Sequence, residues 1–143
     1  MSAGILIDSD VLVWLTRGHT GAAQRLQDIN PWHISVVTYM EFAQGCRDKA
    51  ELARLKKGLA ARHTEVLPLT PAISQRAAEL IDALALSHSM RLADALIGAT
   101  ALEHRFSLLT ANTKHFGAVE GLQLETFCTL GDSGQACTAR ERR

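Results

Sequence analysis

The sequence predicts an α/β domain of three layers, with helices covering both faces of a central parallel sheet of four to five strands. Three observations carry that expectation. Short apolar runs alternate with stretches of helical periodicity along the chain, the pattern of strands joined through crossover helices. The first run, Ile5-Leu6-Ile7, is uniformly apolar rather than alternating and stops abruptly at Asp8, as a strand buried on both faces would. No repeat or linker interrupts the alternation, so right-handed crossovers within one sheet are the simplest connection.

Each element follows in order. Val11 to Leu15 resumes the apolar pattern directly after Ser9-Asp10, and either of those two could cap a helix start. Thr20 to Asn30 reads as a second short helix with Ala22, Ala23, Leu26 and Ile29 on its apolar side, ended by Pro31. Ile34 to Val37 is the second strand. A helix then starts at Thr38, whose spacing to Glu41 is that of a capping box. Gln44 to His63 carries Arg47, Lys49, Arg54, Lys56, Lys57 and Arg62 and reads as one or two surface helices with a basic face. Glu65 to Leu69 is a third strand, and Pro68 assigns it to a sheet edge. Thr70-Pro71 opens a helix with a cap and a first-turn proline, followed by Ile73, Ala77, Leu80, Ile81 and Leu84 as its buried stripe. Arg91 to Ala101 is a helix with Ala93, Leu96, Ile97, Thr100 and Ala101 on its packing side. Phe106 to Leu109 and Leu122 to Phe127 complete the strands.

The chain has 143 residues, enough for one domain with a proper core. We expect that domain over residues 1–130 and a tail of little apolar content, predicted disordered, over 131–143. No apolar run nears the roughly 20 residues of a membrane span, and Met1 to Gly4 leads into the strand without a basic, signal-like segment. The expected location is cytoplasmic. Cys46, Cys128 and Cys137 are odd in number without CxxC spacing, which argues against a disulfide framework and a structural zinc site. Fifteen Lys plus Arg balance fifteen Asp plus Glu, so any nucleic-acid surface must be local rather than a property of bulk charge.

Three acids stand at related places: Asp8 ends the first strand, Glu41 opens the helix after the second, and Asp94 opens the helix before the fourth. Separately, each has an ordinary structural role as a cap or a partner of a helix dipole. Together, in a parallel sheet, all three positions converge on the carboxyl ends of the strands, where ligands bind. Carboxylates meeting there repel one another and call for a cation, and all-oxygen ligands select Mg²⁺, with Mn²⁺ as a substitute. Such a centre suits in-line displacement at a phosphate. The direct inference is a metal-dependent phosphodiester hydrolase.

The same residues resemble a known family. The strand leading to Asp8-Ser9-Asp10-Val11-Leu12, the Ile34-Ser35 segment with Thr38, Glu41-Phe42 and Gly45, the Arg91-x-x-Asp94-Ala95-x-Ile97-x-Ala99-Thr100 helix, and Leu108-Leu109-Thr110-x-Asn112-x-x-His115-Phe116 look like the PIN domain. More narrowly they are similar to the VapC-type toxins of bacterial toxin-antitoxin pairs. The likeness runs from about Ile5 to Phe127. It implies a Mg²⁺-dependent endoribonuclease, usually a homodimer, held inactive by a cognate antitoxin that blocks the acidic site. Position by position, Asp8, Glu41 and Asp94 match the catalytic, metal-binding acids, Thr110 a polar residue beside them, and Asn112 a position that is Asn or Asp in relatives. Ser9 is a further supporting polar residue. Many relatives carry a fourth acid at Asn112 or His115; here neither is acidic, and Asp10 is the residue able to supply the missing oxygen.

Two other functions remain open on sequence grounds. A catalytically inert PIN-like module would bind RNA or protein without cutting. A phosphatase of the haloacid dehalogenase type would use Asp8-x-Asp10 as nucleophile and acid/base pair, but fits worse, because its later acidic pair could only be Gly131-Asp132 in the tail. For RNA, the expected backbone contacts are Arg47, Lys56 and Lys57.

Overall fold

Asp8 and Thr110 lie 102 residues apart in the chain, yet their side chains are hydrogen-bonded, and the sheet topology explains why. The computed structural model describes residues 4–127. Its elements run β1 (Ile5–Ile7), α1 (Ser9–Thr16), α2 (Thr20–Gln27), β2 (His33–Ser35), α3 (Val36–Gln44), α4 (Lys49–Ala61), β3 (Glu65–Leu67), α5 (Pro71–His88), α6 (Leu92–His104), β4 (Ser107–Leu109), α7 (Thr113–Phe116) and β5 (Leu124–Glu125). The five strands form one sheet in the order β3-β2-β1-β4-β5, and every pairing is parallel. The chain therefore builds outwards from β1 to one edge, then returns to the centre and builds towards the other. Between β1 and β4 the connections diverge, which opens a crevice at their carboxyl ends.

Side chains of successive strand residues point to opposite faces, and the core divides accordingly. Leu6 and Leu108, directly paired in register, join Val37, Leu67, Ile97, Ala101 and Phe116 on one face. Ile7 and Leu109, the next pair, join Val11, Leu12, Leu26, Trp32 and Ile34 on the other. A third cluster of Ile73, Ala77, Met90, Ala95, Ala99 and Val119 fills the space between α5 and α6. Helix α6 is thus covered on two sides, by the sheet through Ile97 and Ala101 and by α5 through Ala95 and Ala99. Its small residues allow the close approach: a Cβ on Gly98 would already meet the Phe116 ring at 3.6 Å.

Several boundaries differ from expectation for identifiable reasons. The first helix is capped by Asp8, in the ordinary role its position allows, and not by Ser9 or Asp10; the Asp8 carboxylate accepts from the Ser9 backbone N–H. The second strand ends at Ser35, whose hydroxyl accepts from Val37 N–H and starts α3 two residues before Thr38. Thr38 and Glu41 consequently form no capping box; both are turned to other partners. The basic stretch is one helix, α4, capped by Asp48. Thr70 caps α5 as expected, and β3 is an edge strand. Among the described residues no helix is long and apolar enough to cross a membrane. The expected tail over 131–143, with Cys128 and Cys137, lies outside the described residues.

Phe116 is 1% exposed, and its ring wedges α7 against α6 and the sheet. Phe116→Ala should lower the unfolding free energy by about 3–5 kcal/mol, the usual cost of emptying an aromatic core site. Urea denaturation measures it, and a loss under about 1 kcal/mol would show that α7 is dispensable to the core.

Candidate active site

The crevice above β1 and β4 gathers most of the residues singled out from the sequence. Backbone pairing carries Asp8 there, because its N–H continues the ladder to Leu109 O at 2.9 Å. The Asp8 side chain is only 5% exposed. One carboxylate oxygen accepts from Ser9 N–H at 2.8 Å and the other from the Thr110 hydroxyl at 2.8 Å. Thr110 is itself fully buried, and its Oγ1 accepts from Asn112 N–H at 2.9 Å, so its one proton is directed at Asp8. Thr110, expected to be a supporting polar residue, thus lies in direct contact with Asp8. Asn112 in turn caps α7 through its side-chain oxygen, towards His115 N–H at 3.4 Å.

Ser9 joins Glu41 to the same cluster. Its Oγ donates to Glu41 Oε1 at 2.7 Å and lies 2.9 Å from Thr38 Oγ1. Ser9 has one proton, and Glu41 takes it, so the buried Thr38 hydroxyl is the donor to Ser9. A relay Thr38 to Ser9 to Glu41 therefore fixes the carboxylate of α3 against the first turn of α1.

Asp10 and Asp94 complete the acids. Asp10 Oδ1 faces Ala111 N–H at 3.4 Å. Asp94, in the first turn of α6, has Oδ2 3.4 Å from Arg91 N and 3.2 Å from His115 Nδ1. His115, which the sequence marks only as a position lacking the fourth acid, stands here against a carboxylate. Its Nδ1 also lies 3.1 Å from Asn112 Nδ2, and one ring nitrogen either donates to Asp94 or accepts from Asn112. The signal that could have found it is its place three residues after Asn112, one helical turn along.

The electrostatics are those of crowded acids. Burial, and next the neighbouring charge of Asp10, push the Asp8 carboxyl well above the ordinary carboxylate range, against the pull of the Thr110 and Ser9 bonds. Asp10 is raised as well, chiefly by burial and further by the charge of Asp94, with hydrogen bonds from its neighbours opposing. Among the described residues no three His, Cys, Asp or Glu side chains stand close enough to enclose an ion as they are. The donor chemistry nonetheless fits a hard divalent cation: the converging groups are oxygens, and two of them hold their protons more tightly than isolated carboxyls do, as groups lacking a compensating positive charge should.

Two surface features adjoin the acids. A groove of about 750 Å³ is lined by Ser9, Asp10, Glu41, Cys46, Glu51 and Arg54, among others. Beside it, an apolar cleft of about 250 Å³ is lined by Leu12, Leu15, Trp32, Tyr39 and Leu59, and shares Thr16, Phe42, Arg54 and Leu55 with the groove. The cations expected to meet RNA lie elsewhere. Lys56 and Lys57 are exposed on α4 and line neither feature. Arg47 is engaged with Glu51 through its backbone N–H and its guanidinium, at 2.7–3.0 Å.

The raised carboxyls predict an inverse pH dependence in protein stripped of divalent ions. An unfolded Asp titrates near about 3.9, so between that value and the raised folded values the native state binds more protons. The associated stability is full at low pH and lost as pH rises through the folded values. Asp8→Asn removes the charge and keeps an acceptor; at pH 7 it should raise the thermal midpoint, by roughly 2–4 °C per kcal/mol recovered. Scanning calorimetry in chelator from about pH 5 to 8 checks this, and a lowered midpoint at neutral pH would contradict the assigned repulsion.

Comparison with known proteins identifies the fold that carries these residues. The PIN domain profile matches residues 5–122. A chain of a toxin-antitoxin complex from Klebsiella pneumoniae is 30% identical, with a TM-score of 0.70 over 83% of this chain and 95% of its own. Two further structures share the fold at lower identity. One is DNA-bound VapBC from Salmonella typhimurium, with 20% identity and a TM-score of 0.72 over 87% of this chain and 98% of that one. The other is VapBC2 from Rickettsia felis bound to a promoter DNA fragment, with 18% identity and a TM-score of 0.69 over the same shares. No curated protein matches significantly. The resemblance read from the motifs holds, and Gly131-Asp132, on which the haloacid dehalogenase alternative turned, lies outside the described residues. The chain belongs to the PIN domain family.

Proposed function

We propose that the chain is a VapC-like toxin, a Mg²⁺-dependent endoribonuclease neutralised by a cognate antitoxin. The observation that carries this reading is the packing of Asp8 against Asp10, with Asp94 close enough to raise Asp10 further, at the mouth of the crevice between β1 and β4. Evolutionary membership of the PIN family and the toxin-antitoxin context of its structural neighbours support it.

In this reading Asp8, Asp94 and Glu41, with Asp10 as an additional oxygen, would hold Mg²⁺, or Mn²⁺ in its place. Held there, such an ion would supply charge stabilisation at the phosphate and a more acidic water for attack. The protein's own part is orientation. Thr110 and the Ser9 amide orient the Asp8 carboxylate, the Thr38-Ser9 relay holds Glu41, and His115 stands against Asp94. Fixed carboxylates reorganise little as charge builds on the phosphate, which is where preorganised sites gain their rate. The apolar cleft next to the groove gives an antitoxin segment an apolar anchorage beside the acids it would block. A homodimer and a cytoplasmic location complete the reading.

Cleavage of total RNA by the purified protein should require Mg²⁺, stop in excess EDTA and resume with Mn²⁺. Asp8→Asn, Glu41→Gln and Asp94→Asn should each cut the rate by about 100-fold or more, as loss of an electrostatic group at the reacting centre does, while RNA binding persists. Metal-independent cleavage, or full activity in Asp94→Asn, would sink the proposal; binding with no cleavage by the wild type would establish the inert module instead. Ser9→Ala should lower the rate by about 10-fold without a comparable loss of affinity, since it frees Glu41 rather than removing it.

A further inference from the structure

We infer that Arg54 binds a phosphate of the substrate strand flanking the scissile one, and so sets where RNA lies along the groove; the inference rests on the nuclease reading above. Four charged side chains line the groove, the acids Asp10, Glu41 and Glu51 and the single cation Arg54. A polyanion entering among three acids meets repulsion everywhere except at the reacting phosphate, where a bound divalent ion would offset it, and at Arg54.

The geometry of α4 separates this arginine from the other cations of its helix. Glu51, Arg54, Leu55, Gly58, Leu59 and Arg62 face the groove and cleft, at the three-, four- and seven-residue spacings of one helical face. Lys56 and Lys57 fall on the other side. The obvious intramolecular partner of Arg54, one turn back at Glu51, has both carboxylate oxygens occupied by Arg47. Glu51 and Arg54 still attract through space, but among the described residues Arg54 has no hydrogen bond or ion pair. It is exposed, and it borders the apolar cleft as well as the groove, against which its methylene stem can rest while the guanidinium stays in water. A planar fork of five donors without an acceptor of its own suits a bidentate phosphate contact.

The test measures binding and turnover separately. In the Asp8→Asn background, affinity for a fluorescent single-stranded oligoribonucleotide in Mg²⁺ should fall about 10-fold on adding Arg54→Ala and be partly restored by Arg54→Lys. The slope of log K against log salt should shrink by about 0.7, one phosphate contact on a single strand. In the otherwise wild-type enzyme Arg54→Ala should raise KM by a similar factor and leave kcat within about 3-fold, as loss of uniform binding does. Removing Lys56 and Lys57 together should weaken binding less, and only at low salt, where exposed charges act over longer distances. Unchanged affinity and salt slope in Arg54→Ala, with circular dichroism showing an intact fold, overturn the inference while Asp8-dependent cleavage stands. Absence of cleavage by the wild type with Arg54-dependent binding intact would instead remove the nuclease reading and leave the phosphate contact.

Discussion

The structure depends on keeping two neighbouring carboxyls, Asp8 and Asp10, at the end of its central strand, where burial and mutual repulsion both oppose their ionisation. Isolated buried charge is expensive, and proteins keep such groups only when hydrogen bonds or a counter-charge compensate. Here the compensation inside the chain is partial. Thr110, itself fully buried and oriented by the Asn112 amide, and the Ser9 amide stabilise the ionised form of Asp8, but burial outweighs them. The remainder, set by the position of β1 between β2 and β4, is met by a proton held on the carboxyl or, in the proposed reading, would be met by a divalent cation.

The supporting residues are polar groups whose other hydrogen-bonding positions are already taken. Thr110 receives from Asn112 and therefore gives to Asp8; Ser9 receives from Thr38 and therefore gives to Glu41. Satisfying each hydroxyl twice removes its rotational freedom, which makes the acids' positions a consequence of backbone geometry rather than of solvent. Glu41 and Asp94 differ in what holds them. Asp94 springs from α6, packed between sheet and α5, and meets a histidine; Glu41 springs from a helix with a wetter face and hangs on one serine.

Much of this was legible in the sequence. Ile5-Leu6-Ile7-Asp8 identified a buried strand delivering an acid because a parallel strand covered on both faces leaves no alternation in its side chains. Thr70-Pro71 marked the start of α5 because cap and first-turn proline are local signals independent of tertiary context. The failures were equally physical. Thr38 and Glu41 had capping-box spacing, but Ser35 captured the cap, and hydroxyl and carboxylate were drawn to Ser9, a residue 29 and 32 positions away. Helix α6 carried weak amphipathic signal because it has no solvent side over Ala95 to Ala101. Which cation of the basic stretch faces the groove was hidden because charge composition carries no helical phase; the boundary at Lys49 was needed to assign Arg54 inward and Lys56 outward.

The crossover that opens the crevice also has a temporal meaning. Asp8 leaves the ribosome well before its partner Thr110, which follows only after β4, and His115 comes later still. A chain interrupted anywhere before that point holds acids without the strand that gathers them. The polypeptide is thus assembled with its cluster of acids ungathered until nearly all of the described domain has been translated.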